Sequence, residues 1–386
     1  MKITSTKIII FGSNIISLIC LLSFLKLGLQ VKLLKNNNKK DSKKNKIFYT
    51  ISDSNKKFLN YLCCIREFYE VIKLKIYKIK IYGSKNCYFD FNIFNINYIS
   101  VAWIIKSSEL KNILEKNLNK NNTNLVIQKV YCLKNGYLIF KNKNLLKYFL
   151  IIITDDKFLK LNNIIYHKFY RKYYQEKSIA LNIYIQYLSK NTVFQWFFNN
   201  GVLAVLSINK MDFFYNILVI LSIDISYASK IDNLNLVNKC KILEHIIRKI
   251  TKNKLGILKI QNYIGEYFLQ ANQANSLYNN IVFIGECYHK VHPLAGQGLN
   301  IGIEDVRLLI KIFKKARKKF FFKIGYIISI FFLERNNKIN DIRLIINILN
   351  KIFKEKNFPN LLIFNYFISI INNFCIIKKI MYNKVC

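Results

Sequence analysis

Acidic residues are scarce in this sequence. Its 386 residues carry 21 Asp and Glu against 61 Lys and Arg, a formal net charge of +40. Such an imbalance has three readings: a nucleic-acid partner, an anionic membrane surface, or compositional drift toward Lys, Asn and Ile. The surplus runs along the whole chain and no nucleic-acid motif accompanies it, so no nucleic-acid partner is expected. Drift and membrane-surface attraction stay open. The nine cysteines form no CxxC pair and share no metal-type spacing with histidine, which excludes a zinc-type centre; no metal is expected. Several sit in apolar runs and read as small core residues in a reducing, cytoplasmic-type compartment. No Ser-His-Asp arrangement, no pair of catalytic carboxylates and no internal repeat is visible.

Glycine, proline and histidine are scarcer still, with 12, 2 and 4 copies, and they are unevenly placed. Gly285, Gly296, Gly298, Gly302, Pro293, His289 and His292 all fall between Ile281 and Asp305. Ile281 to Ile284 is a β-branched and aromatic run, the mark of a buried strand. Gly285 ends it. A loop follows, with φ fixed at Pro293 and free at Gly296 and Gly298. From about Leu299 a helix is expected, with Ile303, Val306, Ile310 and Phe313 on one face and Glu304, Arg307, Lys311 and Lys314 elsewhere. Strand, glycine-rich loop and helix N-terminus together suit an anionic or electron-rich ligand group.

The chain is long enough for two domains or one interleaved pair, and 52% of its residues are hydrophobic. Residues 7 to 34 read as strand (Lys7 to Phe11), turn (Gly12 to Asn14), helix (Ile15 to Leu27), Gly28 and strand (Gln30 to Leu34). Gly12, Ser13, Asn14 and Lys26 interrupt the apolar run, which favours this βαβ unit over a leader or membrane anchor. Residues 36 to 46 read as a solvated loop and Ser52 to Leu62 as a helix. Residues 75 to 94 partly alternate, as strands do. Ala102 to Leu118 reads as strand then helix, and 125 to 156 as further strands ending in Leu150 to Ile153. From about 165 to 270 short apolar-aromatic runs suit a sheet with helices on one side, among them a helix at 241 to 252. Residues 324 to 356 read as helices. Asn360 to Val385 is either a packed terminal helix or one lying on a membrane surface.

The segment from Gly285 to Asp305 resembles the second flavin-contacting motif of the FAD-dependent aromatic-ring hydroxylases, and within them the ubiquinone-biosynthesis enzymes. The matching residues are Gly285, His289, His292, Pro293, Leu294, Ala295, Gly296, Gln297, Gly298, Leu299, Asn300, Gly302 and Asp305. The resemblance implies an α/β fold (α+β overall): a Rossmann-like FAD-binding domain interleaved with a β-sheet substrate domain, plus C-terminal helices, like para-hydroxybenzoate hydroxylase. The FAD-binding domain would take 1–75, 101–160 and 271–350, the substrate domain 76–100 and 161–270, and the helical tail 351–386. It also implies FAD contacts from Gly12, Asn14, Ser17, Asp155, Gly285, Glu286, Pro293, Ala295, Gly296, Gln297, Gly298, Leu299 and Asn300, and a proton-transfer role for His292 as the alternative to a structural one.

Several positions depart from the family pattern. Glu286 replaces its Asp, Asn14 and Ser17 replace the second and third glycines of the opening turn, and Lys35 stands where a ribose-binding acid is expected. Lys106 and Ser107 replace a Glu-Asn pair, and Asp156 replaces a Gly. The activity implied is hydroxylation of a polyprenylated phenol or quinone precursor through a flavin C4a-hydroperoxide, with O2 and NAD(P)H. It would take place in a ubiquinone-biosynthesis complex, in the cytoplasm or peripherally on the inner face of a membrane. Two alternatives accompany it: a related flavoprotein oxidoreductase (a prenyl reductase or another phenol hydroxylase), and a non-catalytic scaffold of the same fold.

Overall fold

Ile8–Phe11, Leu150–Ile153 and Ile281–Phe283 are apolar without interruption, the composition of parallel strands covered on both faces. In the computed structural model of the protein they lie side by side. The residues described are 3–5, 8–34, 48–63, 71–83, 88–92, 100–119, 130–134, 137–140, 145–155, 169–198, 200–211, 213–274, 280–288, 298–318 and 323–354.

In chain order the elements begin with β1 (Ile3–Ser5), β2 (Ile8–Phe11), α1 (Ile15–Leu25), β3 (Val31–Leu34), β4 (Phe48–Ile51) and α2 (Asp53–Leu62). Next come β5 (Ile72–Ile76), β6 (Lys78–Tyr82), β7 (Tyr88–Asn92), β8 (Ala102–Lys106) and α3 (Ser107–Asn119). The middle of the chain supplies β9 (Val130–Lys134), β10 (Tyr137–Phe140), β11 (Leu145–Lys147), β12 (Leu150–Ile153), β13 (Phe169–Ile185), β14 (Thr192–Phe198), β15 (Gly201–Met211) and β16 (Phe214–Asp224). The last third holds α4 (Ile225–Asp232), α5 (Leu236–Thr251), β17 (Leu258–Ala274), β18 (Ile281–Phe283), a 3-10 turn (Gly285–Cys287), α6 (Gly298–Lys318) and α7 (Ile324–Lys354).

Four sheets result. The parallel sheet has the order β18-β12-β2-β3. Its chain runs from β2 through α1 to β3 on one side, while β12 and β18 add on the other, so the topological switch point lies between β2 and β12. Helices α1 and α6 cover this sheet, and Gly302 lets them close up: a Cβ there would stand 2.8 Å from Ile16 Cδ1. The second large sheet has seven strands, β17-β13-β16-β15-β14-β6-β7, mostly antiparallel. Its outer face packs on α4 and α5 through Leu181, Val219, Leu221, Ala228, Leu243 and Ile247. Sheet β4-β8-β5 lies at the inner face, contributing Ile76 and Ile104 to the core there. A fourth sheet, β1-β11-β10-β9, pairs Ile3–Ser5 with Leu145–Lys147 in parallel.

Element boundaries differ little from those expected. Helix α1 ends at Leu25 instead of Leu27, because Leu27 and Gly28 already belong to the closing turn: Gly28 N–H reaches Leu25 O at 2.8 Å with φ +72°. Helix α5 starts at Leu236, earlier than 241, because the Asn235 side chain caps it by accepting from Asn238 N–H. Residues 324 to 354 are one helix. Strand β1 was not expected. The expectation for Asn360 to Val385 falls outside the described residues.

Candidate functional site

The carboxyl ends of β2, β12 and β18 converge on one crevice, and each ends in a residue with a task. Gly12 follows β2. A Cβ there would meet Thr154 Oγ1 at 2.0 Å, so only glycine permits β2 and β12 to approach as they do. Asn14 caps α1: its Oδ1 accepts from Ser17 N–H at 2.9 Å, and its Nδ2 donates across the crevice to Thr154 O at 2.6 Å. Ser17 is buried and turns its hydroxyl back to Asn14 O at 2.6 Å. Ser13 Oγ donates to Asp155 Oδ2 at 3.0 Å. Gly12, Asn14, Ser17 and Asp155 therefore meet at the switch point, where open α/β sheets bind ligands.

Beyond β18 the chain turns through Gly285, whose φ of +66° is in the left-handed region. Its N–H donates to Asp305 Oδ2 at 2.7 Å. Glu286 is exposed, and its Oε1 lies 3.6 Å from where a Cβ on Gly298 would be, so its carboxylate stands at the N-terminus of α6. A helix start favours that charge. Leu299 and Asn300 are buried in the first turn. The Asn300 side chain is tied down at both ends: Nδ2 donates to Thr50 O at 2.9 Å, and Oδ1 accepts from Ser52 N–H at 2.9 Å and Asn55 Nδ2 at 3.1 Å. It clamps α6 to β4 and α2, and Asn55 Nδ2 also donates to its backbone carbonyl at 3.1 Å, so what it leaves a ligand is its first-turn N–H. His292, Pro293, Ala295, Gly296 and Gln297 lie outside the described residues, as do Lys35 and Asp156. Lys106 and Ser107 fall where β8 passes into α3.

Sequence reasoning gave no role to the charge cluster beneath this turn. Arg335 is 1% exposed on α7, and Asp305 is fully buried on α6. The Arg335 guanidinium pairs with Asp305 through Nε, lies 3.3 Å from Glu304 Oε2 through one terminal nitrogen, and donates to Ile301 O at 3.0 Å through the other. Lys338 adds a 2.7 Å contact to Glu304. Burial pushes the Asp305 carboxyl up to about 7, while Arg335 and the Gly285 N–H pull against it. A sequence signal existed. Ile328, Phe331, Phe332 and Ile339 form the apolar stripe of α7, and Arg335 occupies a position on it.

The opposite wall is the inner face of the seven-stranded sheet. Val193, Phe197, Val202, Ala204, Leu206 and Ile264 pack there together with Ile301 from the first turn of α6. Residues alternate along a strand, so Gln195 shares this face with Val193 and Phe197, and Asn182 shares it with Ala180. Both side chains are buried, and Gln195 Nε2 and Asn182 Oδ1 have no hydrogen-bond partner. Among the described residues no group of His, Cys, Asp or Glu is arranged to hold a metal ion.

FAD fits this crevice best at its flavin end. The left-handed Gly285, the outward Glu286 carboxylate and the side-chain-free Gly298 leave backbone and one acid open to a ligand. At the other end the Asn14 amide already holds one first-turn N–H of α1 and bridges to Thr154. A pyrophosphate there would use the remaining first-turn N–H groups or displace that amide.

Comparisons with known proteins agree with this geometry. The squalene epoxidase family model matches residues 239–360. The mitochondrial ubiquinone biosynthesis monooxygenase COQ6 of Drosophila melanogaster is 52% identical over 33 residues, 8% of this chain and 7% of that protein. The Dictyostelium discoideum protein of the same name is 28% identical over 103 residues, 26% of this chain and 21% of that protein. The chain thus spans about a fifth or less of the curated relatives it matches. The solved structure of p-nitrophenol 4-monooxygenase PnpA from Pseudomonas putida superposes with a TM-score of 0.74 at 12% identity, covering 100% of this chain and 99% of that one. The parallel sheet with its glycine turns and the sheet wall facing it thus have the fold of a solved monooxygenase, and segment 239–360 is similar to the squalene epoxidase family.

Proposed function

We propose that the chain is an FAD-dependent monooxygenase that hydroxylates the ring of a polyprenylated phenol or quinone precursor in ubiquinone biosynthesis, with O2 and an NAD(P)H-type reductant. The observation that carries this reading is the meeting of Gly285, Glu286 and the α6 N-terminus opposite an apolar sheet face. When bound, FAD supplies O2 activation and oxygen transfer to an electron-rich ring. The chain's own residues do the rest. Glu286 would hold the ribityl hydroxyls, and the start of α6 would favour negative charge on the ligand. By the resemblance of the motif, Pro293, Ala295, Gly296, Gln297 and Gly298 would lie against the flavin ring, Leu299 and Asn300 would offer backbone, and Gly12, Asn14, Ser17 and Asp155 would hold the pyrophosphate half. His292 stands by for proton transfer. The wall of Val193, Phe197 and Leu206 excludes water, and the Gln195 amide is the donor for a ring oxygen. In this reading 1–75, 101–160 and 271–350 bind FAD, 76–100 and 161–270 bind substrate, and 351–386 is a helical tail.

The substrate class is membrane-borne, and the +40 charge suits a peripheral protein on the inner, reducing face of a membrane. The COQ6 relatives are mitochondrial. No described helix is long and apolar enough to cross a membrane. Assembly with other ubiquinone-biosynthesis proteins belongs to the same reading.

The first test is the visible absorbance of the purified protein before and after adding FAD, followed by product analysis with polyprenyl phenols. A bound-flavin spectrum and a hydroxylated product support the reading. A folded, colourless protein that takes up no FAD favours the second reading, a non-catalytic scaffold. The Asn14 amide lying across the crevice is the observation on that side.

A further inference from the structure

Helices α2, α6 and α7 enclose a groove of about 1070 Å³. Eight of its sixteen lining residues are Lys or Arg and three are acidic. That surplus of five in sixteen positions is three times as dense as the chain-wide +40 in 386, so drift alone does not account for it. Two of the lysines are answered within the protein: Lys57 lies 3.2 Å from Asp53, and Lys338 lies 2.7 Å from Glu304. Lys311, Lys315 and Lys318 have no carboxylate within ion-pair distance among the described residues, and all three are exposed.

Their spacing is costly to the helix that carries them. Arg307–Lys311, Lys311–Lys315 and Lys314–Lys318 are like-charge i,i+4 pairs, each mildly destabilising. The helix dipole rewards cations only in the last turn, so it covers Lys315 and Lys318 but not Arg307 and Lys311. The result is a cationic ladder of roughly 16 Å, with repulsion that an anionic surface would relieve.

The groove is also amphipathic. Phe58, Tyr61, Leu308 and Ile310 line it between the cations. Tyr61 is 54% exposed and carries Lys26 and Lys314 over its ring, at 4.7 and 5.3 Å from the centroid. Helix α7, which forms one wall, carries the exposed Tyr326 and Leu333. Cations interleaved with half-exposed aromatics match the boundary of an anionic bilayer, where headgroup phosphates meet acyl chains.

We propose that the α2–α6–α7 groove is the surface by which this protein docks on acidic phospholipid, its lysines taking headgroup phosphates and Tyr61 and Phe58 lying at the acyl boundary. The proposal rests on the membrane-surface part of the reading above, and its test needs no flavin or turnover.

The test is co-sedimentation of the full chain with vesicles of 70% phosphatidylcholine and 30% phosphatidylglycerol, roughly a physiological anionic fraction. The comparison is between Lys311→Gln/Lys315→Gln/Lys318→Gln and a control, Lys230→Gln/Lys241→Gln/Lys249→Gln, which removes the same charge from α4 and α5. Each lysine near an anionic surface contributes roughly fivefold in partition, so the groove variant binds about 100-fold more weakly while the control stays near the wild type. Circular dichroism checks folding, which the loss of like-charge pairs does not threaten. Equal weakening of both variants overturns the groove and leaves bulk attraction. No binding by the wild type overturns the groove and the membrane reading together, without touching flavin uptake. Release of the wild type by millimolar inorganic pyrophosphate, at constant ionic strength, overturns bilayer docking in favour of a soluble-phosphate site.

Discussion

Gln195 shows how a single residue can work against the fold that holds it. Its buried, unpartnered amide nitrogen costs stability unless something arrives to accept from it. Gln195→Leu is therefore expected to stabilise the protein by about 1–3 kcal/mol in urea unfolding while weakening binding of a phenolic ligand. A variant that loses both stability and ligand binding would remove Gln195 from the site. Gly298→Val tests the flavin end. Its Cβ lands 3.6 Å from Glu286 Oε1 and the γ-branches press further in, so flavin retention is lost in a folded protein, as the absorbance spectrum reads directly. Arg335→Met strips the buried Asp305 of its cation, at a cost of about 3–5 kcal/mol in neutral solution. The pH dependence has a definite sign. Burial already raises the Asp305 carboxyl to about 7, and losing Arg335 raises it further. A raised folded-state carboxyl stabilises at low pH and loses that stability as pH rises, so the variant's deficit is smaller at pH 6 than at pH 8. Glu266 behaves oppositely. Burial works against its charge, but Lys177, Lys239 and Tyr263 donate to it and hold it near 2. Its contribution is present above the ordinary carboxylate range and is lost as pH falls from about 4.5 toward 2.

At the scale of elements, α1 carries the open question of cofactor affinity. Asn14→Gly restores the family's second glycine and frees both the Ser17 N–H and Thr154 O. It costs the helix a few tenths of a kcal/mol as a cap. FAD titrated by flavin fluorescence quenching should bind more tightly to this variant than to the wild type. Unchanged affinity would mean that the amide does not compete with the pyrophosphate. This helix also marks how far the sequence could be read. β2, α1, β3, β12 and β18 were legible because their apolar runs are continuous and bounded by Gly12, Gly28 and Gly285, signals that need no tertiary knowledge. The Gly12–Thr154 approach, the Asn300 clamp and the Asp305–Arg335 pair were not, because each joins residues between 30 and 250 positions apart and depends on how helices dock. Arg335 was nonetheless within reach: a charge on an apolar helical stripe calls for a buried partner. The β1–β11 pairing had no comparable signal, since three residues are too few to show a period.

For the whole molecule, one feature of the parallel sheet has a bearing on time. Its neighbours β2 and β12 are paired from Ile8↔Leu150 to Phe11↔Ile153, and β12 then waits for Ile281 to Phe283. No short segment of the chain can build this sheet. Closing loops of such length before any pairing reward slows folding and leaves strand edges bare. A nascent chain halted near residue 274 would hold the seven-stranded sheet complete and β12 with an open edge. Such a species is expected to be protease-sensitive around β2 and β12 and dependent on chaperones. The strand that ends the wait leads straight into Gly285 and Glu286. Sealing the sheet and placing the flavin end of the crevice are therefore one event, late in synthesis.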